Sequence, residues 1–355
     1  MENKLSVVTT NVPSDNQFDS PHYENSFTAH AKAANTVNAY LSDWEDFCLW
    51  CNQNNCRYLP ADPKKVADYL EDRATNTWWG ISGQNRQMKE KRPLKWSSLL
   101  RRLTTISKMH HYQGMPFKRK HPAIEKTLSG IKRVFSEKQP HRIVEIRKDP
   151  LCIEEIRAMV ESLPNTLTGM RDRALLLIGF SGAFRRSEIV KICIEDLTFC
   201  KEGILVFLPW SKTGSRKVPI PYGSSHATCP VRALQEWIQA SCITQGAVFR
   251  AINKHGHIRA TGLSDKSVVL IIKRNDYLKR MLIDALDLKK MDPTISVPNY
   301  GGHSLRAGFV TTAILNGVPE YSIMKQTDHK KSDTVKKYIR ETLKWKDNAA
   351  TKLGL

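Results

Sequence analysis

The sequence predicts a mainly α-helical protein with one small β-sheet, arranged as two domains. Its 355 residues, 41% of them hydrophobic, are enough to bury two sizeable cores. Apolar residues recur at helical spacing along most of the chain, whereas a strand, turn, strand pattern is confined to residues 204–222. A polar stretch with two prolines at residues 138–150 indicates a linker between the domains.

The expected N-terminal domain, residues 26–137, is a small all-α domain preceded by a flexible tail. Residues 1–25 are polar and show no periodicity, so they are expected to form the tail. Helices are predicted at residues 35–52, from Pro63 onward, at 95–113 and at 123–135. Residues 76–93 are expected to form a loop between the second and third helices.

The expected C-terminal domain, residues 151–342, combines helices with the small sheet and precedes a tail at 343–355. Its helices are predicted at residues 153–163, 172–180, 231–241 and 263–280, from Ser304 to a stop at Gly317, and from Ser332 or Asp333 onward. The strands are predicted at residues 204–210 and 217–222, on either side of the turn Ser211-Lys212-Thr213-Gly214.

The positive charge of the chain predicts a polyanionic partner. Lys and Arg number 55 against 35 Asp and Glu, which gives a formal net charge of +20. Residues 86–138 alone carry 15 Lys or Arg and only three acidic residues. A solvated helix face is the alternative explanation for such a run, but its one-sided composition favours nucleic acid binding. The residues expected to contact DNA are Arg86, Lys89, Lys91, Arg101, Arg102, Lys108, Lys118, Arg119, Lys120, Lys132 and Arg133.

No segment of the sequence predicts a membrane span or a secretion signal. The longest apolar run, residues 174–180, is too short to cross a bilayer, and the N-terminus lacks the basic and hydrophobic regions of a signal peptide. The eight cysteines follow no disulfide spacing, which suits a reducing compartment. A soluble protein in the cytoplasm is therefore expected.

Two local clusters leave alternatives open. Cys48 and Cys51, with Cys56 nearby, could bind zinc, but core packing is favoured because they continue an apolar helical stripe. Trp78 and Trp79 could stack on bases or pack on the helices, and packing is favoured. No metal ion and no cofactor are expected, and the sequence has no Gly-x-x-x-x-Gly-Lys-Ser/Thr motif for ATP phosphates.

The C-terminal part of the chain contains the side chains needed to hold a phosphate and to attack it with a phenol. His303 and Arg306 are followed by His329 and, nine positions later, by Tyr338. This spacing resembles the tyrosine recombinase (phage integrase) family, in which His-x-x-Arg precedes a His or Trp and the nucleophilic Tyr. A chance match is common for any one of these residues, but not for the ordered set.

The resemblance also supplies matches upstream of this motif. The turn Gly-Ala-Phe-Arg-Arg-Ser-Glu at residues 182–188 resembles the family's first arginine motif, with Arg185 as the match and Arg186 as the neighbouring alternative. The family carries a lysine on a hairpin between the two motifs, which makes Lys212 the candidate. The resemblance covers most of residues 150–345, and residues 50–70 resemble the helical, SAM-like core-binding domain of Cre-type recombinases.

The expected chemistry begins with a clamp on the phosphate. Attack on a phosphodiester builds negative charge on its nonbridging oxygens, where the planar guanidinium forks of Arg185 and Arg306 are expected to bind. His303 lies one helical turn from Arg306 and is expected to act as a general base or as a donor to the phosphate. Glu188 is expected to orient Arg185 without touching substrate.

The strand is expected to break by attack of the Tyr338 hydroxyl, with Lys212 protonating the departing 5′ oxygen. His329 is expected to complete the charged pocket. The family usually has Gly before this histidine, whereas this chain has Asp328, which is tolerable in a left-handed conformation but adds a carboxylate. Each residue taken alone could equally be a packing or surface residue, and only the joint spacing favours catalysis.

The resemblance implies a site-specific DNA recombinase that forms a 3′-phosphotyrosyl intermediate and needs no ATP. It further implies duplex DNA with paired inverted-repeat half-sites as the partner. A homotetramer is expected on two sites, and a monomer or weak oligomer in the free state. Two alternatives remain: a strand transferase of the type IB topoisomerase or telomere resolvase kind, and a noncatalytic DNA-binding protein, for which Asp328 is the hint.

Overall fold

The computed structural model describes residues 34–82, 87–144, 148–209, 211, 214–285 and 299–343. The chain divides into two compact units, with the boundary between residues 146 and 147. Both units are built mainly from helices with small antiparallel sheets, which confirms the predicted fold class. Arg86, Lys212, the expected tail at residues 1–25 and all but the first residue of the expected tail at 343–355 lie outside the described residues. In the part of the chain that is described, no helix is long and apolar enough to span a membrane.

The described part of the N-terminal unit contains the four α-helices that the sequence predicts and a hairpin that it does not predict. The elements are α1 (Ala34–Gln53), α2 (Pro63–Thr75), β1 (Trp78–Ser82), β2 (Gln87–Lys91), α3 (Trp96–Tyr112) and α4 (Pro122–Lys138). Asp62 caps α2 by accepting a hydrogen bond from Lys64 N–H at 2.9 Å, with Pro63 in the first turn. The helices bury one apolar core around Phe47, Leu70 and Leu99.

The hairpin of β1 and β2 occupies the region that the sequence predicts as a loop. Trp78 pairs with Lys91 across the two strands, and its ring lies 4.7 Å from the guanidinium of Arg73 on α2. This cation–π contact joins the hairpin to the helices. Trp79, the next residue, points to the opposite face of the strand from Trp78 and is 64% exposed. Packing is therefore the correct interpretation for Trp78 but not for its neighbour.

A buried ionic network holds α1, α2 and α3 together. Asp46 accepts hydrogen bonds from the Tyr69 hydroxyl at 2.7 Å and from Arg73 Nε at 3.0 Å. Arg102 donates to the same carboxylate and is only 8% exposed. The expectation that Arg102 contacts DNA is therefore wrong, because its charge is used inside the core, where a buried cation needs a partner.

The cysteines near α1 pack as apolar side chains. Cys51 is fully buried in the helical core, and Cys48 and Cys56 pack against it. Burial raises the pKa of the Cys48 thiol to about 12, so the thiolate that a metal ion needs is disfavoured. Of the two alternatives, the structure supports core packing.

In the described part of the C-terminal unit, helices and two small sheets pack around a second apolar core. Its elements are α5 (Ile153–Glu161), α6 (Leu167–Ser181), α7 (Arg186–Ile189), β3 (Leu197–Cys200), β4 (Gly203–Leu208), β5 (Arg216–Pro221), α8 (Pro230–Ser241), β6 (Arg250–Ile252), β7 (Ile258–Gly262), α9 (Asp265–Ala285), α10 (Ser304–Leu315), α11 (Glu320–Thr327) and α12 (Ser332–Leu343). Strands β3, β4 and β5 form an antiparallel sheet in that order. The predicted hairpin is β4 and β5, whereas α7, β3, the β6–β7 pair and α11 were not predicted.

Helix α10 lies close against the beginning of the C-terminal unit. A Cβ atom on Gly308 would lie 1.7 Å from the Leu151 carbonyl oxygen, so this close approach requires glycine. Helix α10 ends at Leu315, and Gly317 follows with φ of 72°, which confirms the predicted helix stop. The packing fixes the direction in which α10 presents Arg306.

A small apolar cluster joins the last three helices. It contains Val310, Ala313 and Ile314 of α10, Ile323 of α11 and Val335 of α12, with Tyr338 packed against it. Burying this cluster fixes α12 against α10, so Tyr338 is held by packing on a helix that is too short to be stable alone.

Candidate active site

Arg185 lies where α6 turns into α7. Ala183 takes a left-handed conformation with φ of 48°, which reverses the chain after α6. Arg185 then caps α7: its backbone N–H donates to Glu188 Oε2 at 2.9 Å and its Nη1 donates to Glu188 Oε1 at 2.6 Å. Arg186 instead pairs with Asp265, at 3.2 Å, outside this cluster. The geometry therefore favours Arg185 over its neighbour.

Glu188 is a buried carboxylate between two arginines. It is only 3% exposed, and Oε2 also accepts a hydrogen bond from Arg216 Nη2 at 3.0 Å. Burial raises the pKa of Glu188, but the hydrogen bonds from Arg185 and the charges of Arg216 and Arg185 outweigh it, so the pKa is lowered overall. Glu188 is therefore ionised at neutral pH.

Arg306 connects the two segments that form the site. It lies on α10 and is 6% exposed, with Nη1 donating to the Ala183 carbonyl at 2.7 Å and Nη2 donating to the Thr327 carbonyl. Burial and the nearby charge of Arg185 lower its pKa to about 10. Arg306 remains a cation at neutral pH, and a bound anion would stabilise its charge.

His329 follows the end of α11 and is uncharged at neutral pH. Burial, together with the charges of Arg306 and Arg185, lowers its pKa to about 4. Its Nδ1 lies 2.9 Å from Thr327 Oγ1, and that hydroxyl is 2.6 Å from the Ile323 carbonyl, to which it donates. Because the Thr327 hydroxyl donates its proton to the Ile323 carbonyl, its oxygen must accept a hydrogen bond from His329. This assigns the imidazole proton to Nδ1 and leaves Nε2 as an acceptor.

Asp328 has the backbone conformation that the sequence analysis considered. Its φ is 55° and its ψ is 41°, so it ends α11 in the left-handed region. Its Oδ1 is paired with Lys330 Nζ at 2.7 Å, and this cation offsets much of its charge. The carboxylate still favours the protonated form of His329, although less strongly than burial and the arginines oppose it.

His303 and Tyr338 approach the cluster from two helices. His303 occupies the N-cap position of α10, one turn before Arg306, and its side chain is exposed. Tyr338 is half-buried on α12, where it packs against the apolar cluster that α10 shares with α11 and α12. The structure thus brings Arg185, Glu188, Arg306, His329 and Tyr338 together, and it places His303 at the end of the helix that carries Arg306.

Lys212 lies outside the described residues, but the ends of its turn are visible. Ser211 and Gly214 exchange backbone hydrogen bonds of 3.2 and 3.3 Å, which close the turn between β4 and β5. The predicted hairpin around this lysine is therefore confirmed, whereas the position of its side chain stays a prediction.

Arg216 is the member of the cluster that sequence reasoning missed. It begins β5, in which Val218 and Ile220 are buried on the same face. An arginine in step with two buried residues of a strand must itself point inward, where it needs an anionic partner. This alternation was visible in the sequence and could have identified Arg216.

The remaining residues of the expected DNA-contacting set differ in exposure. Lys91 and Lys108 are half-buried, and Lys108 donates to the Tyr40 hydroxyl at 3.2 Å. Arg101 binds Asp43 through two hydrogen bonds of 2.7 and 3.0 Å, and about half of its side chain remains exposed. The fully exposed members are Lys89, Lys118, Arg119, Lys120, Lys132 and Arg133. Within the described ranges, no group of three His, Cys, Asp or Glu side chains is arranged to hold a metal ion.

Comparison with known proteins shows which proteins this chain is similar to. Residues 151–344 match the model of the phage integrase family. An integrase/recombinase XerD homologue of Selenomonas ruminantium is 34% identical over 91% of this chain and 86% of its own length. Recombinase Cre of Escherichia phage P1 is 21% identical over 87% of this chain and 85% of its own length. Among solved structures, a lambda integrase dimer bound to a COC′ core site is 14% identical, with a TM-score of 0.41 over 88% of this chain and 91% of that one.

Proposed function

The chain belongs to the phage integrase family of tyrosine recombinases, and we propose that its buried arginine cluster holds the scissile phosphate of duplex DNA for attack by Tyr338. The protein is a site-specific recombinase, an enzyme that breaks and rejoins DNA. The observation that carries the assignment of the site is the position of Arg306, which is buried and bonded to both the Arg185 turn and the end of α11.

The cluster has a surplus of positive charge that suits a phosphate. Arg185, Arg216 and Arg306 supply three cations, Glu188 supplies one anion, and His329 is neutral. A phosphodiester carries one negative charge and gains more in the pentacoordinate transition state, so fixed cations stabilise the transition state more than the ground state. Arg185 uses Nη1 for Glu188, and its other donors are proposed to bind a nonbridging oxygen.

Strand cleavage is proposed to proceed by in-line attack of the Tyr338 hydroxyl on phosphorus. The new Tyr–O–P bond forms as the bond to the 5′ oxygen breaks, and the energy of the phosphodiester is kept in the 3′-phosphotyrosine. His303 is proposed to accept the phenolic proton or to donate to the phosphate. Lys212 is proposed to protonate the departing 5′ oxygen, and the 5′-hydroxyl of a second strand reverses the reaction.

Duplex DNA with paired inverted-repeat half-sites is the proposed partner. The protein is proposed to bind two such sites as a homotetramer and to be a monomer or weak oligomer when it is free. The exposed basic residues of α4 and of the segment before it, such as Lys118, Arg119 and Lys132, are proposed to contact the backbone phosphates. Each phosphate contact would make binding weaker as the salt concentration rises. We propose that the enzyme acts in the cytoplasm, where its DNA is located.

The alternative of a noncatalytic DNA-binding protein loses its only support. That alternative rested on Asp328, which puts a carboxylate beside an anionic site. Asp328 adopts a left-handed conformation that aspartate tolerates, and its carboxylate pairs with Lys330, which offsets the added negative charge.

A suicide duplex tests the proposed reaction. In such a duplex a nick lies next to the cleavage position, so the 5′-hydroxyl fragment diffuses away and the covalent adduct is trapped. Formation of an adduct that survives denaturation would support strand cleavage. Binding of the duplex without any adduct would mean that the fold has lost the reaction.

The role of Lys212 is separable by changing the leaving group. Lys212→Ala should slow cleavage on the order of a hundredfold, the usual range for general acid catalysis. A bridging 5′ sulfur leaves as a thiolate without a proton, because a thiol has a pKa of about 8.5. The sulfur substrate should rescue Lys212→Ala but not Arg306→Ala. An unrescued lysine variant would assign the acid to another residue, with Lys217 tested next.

A further inference from the structure

Arg216 is a buried charge with two partners from different parts of the site. Its side chain is 10% exposed, with Nη2 donating to Glu188 Oε2 at 3.0 Å and Nη1 donating to the Gln326 carbonyl at 2.9 Å. Its guanidinium also lies 5.8 Å from the centre of the Phe184 ring, on the turn that carries Arg185. The two hydrogen bonds leave from the two terminal nitrogens of the planar Arg216 guanidinium, so they fix the Glu188 carboxylate and the Gln326 carbonyl relative to each other.

The first partner determines how Arg185 can be used. Glu188 Oε1 accepts from Arg185 Nη1, while Oε2 is shared by Arg216 Nη2 and the Arg185 backbone N–H. Arg216 therefore neutralises the carboxylate and occupies the oxygen that could otherwise accept a second bond from the guanidinium of Arg185. Without Arg216, the unbalanced anion would hold Arg185 more tightly and compete with the substrate phosphate for its donors.

The second partner links β5 to the end of α11. Gln326 accepts from Arg216 through its carbonyl, and its Nε2 donates to the carbonyls of Ser181 at 2.9 Å and Pro219 at 3.3 Å. Gln326 directly precedes Thr327, whose carbonyl accepts from Arg306. The strand that follows the Lys212 turn is thus bonded to the segment that leads to His329.

We propose that Arg216 is a positioning residue for strand cleavage: by neutralising Glu188 it keeps the guanidinium of Arg185 available to the scissile phosphate. This inference rests on the proposed function, and it adds a residue whose effect on the reaction is exerted through Glu188. Its loss would also remove one cation from the cluster, leaving two cations against one anion.

The expected effect is on the rate of cleavage and not on the affinity for DNA. Loss of a donor that binds the transition state directly costs on the order of a hundredfold to a thousandfold in rate. Because Arg216 acts through Glu188, Arg216→Gln should slow single-turnover cleavage of a suicide duplex by roughly tenfold to a hundredfold. Half-site affinity should change by less than about twofold, because that affinity comes mainly from exposed phosphate contacts.

A double-mutant cycle separates positioning from a general structural effect. Arg216→Gln combined with Glu188→Gln should be no slower than the slower of the two single variants, because the proposed effect of the arginine on Arg185 is exerted through that carboxylate. Losses that multiply would mean that Arg216 acts independently of Glu188 and would overturn the proposal. Arg250→Gln is the matched control, since Arg250 also donates to backbone carbonyls in this unit but lies outside the cluster; it should cleave at the wild-type rate.

Arg216→Lys keeps the proposal testable if the glutamine variant does not fold. A lysine retains the charge but cannot reproduce the planar fork that spans both acceptors, so its cleavage rate should fall between those of the wild type and Arg216→Gln. A lysine variant as slow as Arg216→Gln would overturn the proposal, because the retained charge should still neutralise part of the Glu188 carboxylate. If the wild type itself forms no adduct, the proposed function fails instead, and the coupling of Arg216 with Glu188 in urea unfolding still decides whether the contact exists: additive effects on stability would refute it.

Discussion

Replacing Asp328 separates the backbone geometry of the site from its electrostatics. This residue has φ of 55° and sits between the end of α11 and His329. A left-handed conformation costs an L-residue with a Cβ roughly 1 kcal/mol, and Asp and Asn tolerate it best. Its partner Lys330 is two-thirds exposed, so the ion pair itself contributes less than about 0.5 kcal/mol.

These magnitudes predict different outcomes for three substitutions. Asp328→Ala keeps the Cβ but removes the side-chain carboxylate that makes the left-handed conformation less costly for Asp. The free energy of unfolding should therefore fall by about 1 kcal/mol. In Asp328→Gly, relief of about 1 kcal/mol is offset by the greater entropy of glycine in the unfolded chain, so stability should change by less than about 0.5 kcal/mol. Asp328→Asn should leave stability nearly unchanged.

The charge of Asp328 should affect cleavage rather than stability. Removing it in Asp328→Asn makes the cluster more positive, but Lys330 already offsets the carboxylate at 2.7 Å. A residual effect of about 0.5 to 1 kcal/mol corresponds to a two- to fivefold faster single-turnover cleavage.

Urea unfolding and suicide-duplex cleavage measure the two effects on the same proteins. Equal stability of the Ala and Gly variants would mean that residue 328 does not hold the left-handed conformation. Slower cleavage by Asp328→Asn would mean that the carboxylate contributes to the reaction, which contradicts the reasoning given above.

Three further predictions concern acid, metal ions and assembly. His329 has a pKa near 4 in the folded state against about 6.5 in the unfolded state, so the unfolded chain binds more protons as the pH falls. The free energy of unfolding should therefore decrease by about 1 to 2 kcal/mol between pH 6.5 and pH 4. Urea titrations should show this loss in the wild type but not in His329→Gln. An equal loss in both proteins would assign the effect to other groups, such as the buried His110. Cleavage should persist in excess EDTA because arginines supply the charge on the phosphate, and activity that magnesium alone restores would point to a metal nuclease. Deletion of residues 343–355 should weaken assembly on paired sites more than binding to a half-site in gel-shift assays, and equal losses would mean that the tail packs on its own protomer.

The site residues were predicted from the family resemblance, and two pairs among them are also close neighbours along the chain. His303 and Arg306 lie one turn apart on one helix, and Arg185 and Glu188 lie within one turn. Such neighbours share a face once the helix forms, so the sequence alone brings them together.

Other features escaped prediction because they depend on contacts between distant segments. Arg216 meets Glu188 through folding of the β4–β5 hairpin against α7, and the sequence does not indicate this pairing. A count of positive charges likewise treated Arg102 as a surface residue, although it binds Asp46 on another helix. The β1–β2 hairpin was missed because the polar strand Gln87–Lys91 lacks the apolar alternation of a half-buried strand.

The identity of the nucleophile is the central claim, and mapping of the covalent link tests it most directly. The protein is trapped on a suicide duplex, digested with protease and nuclease, and the peptide that retains a 3′-nucleotide is sequenced by mass spectrometry. The modified residue should be Tyr338, and Tyr338→Phe should give no adduct while binding the half-site with nearly unchanged affinity, because the variant lacks only a hydroxyl and keeps the basic surface. A nucleotide on any other residue, or an adduct formed by the phenylalanine variant, would contradict the mechanism.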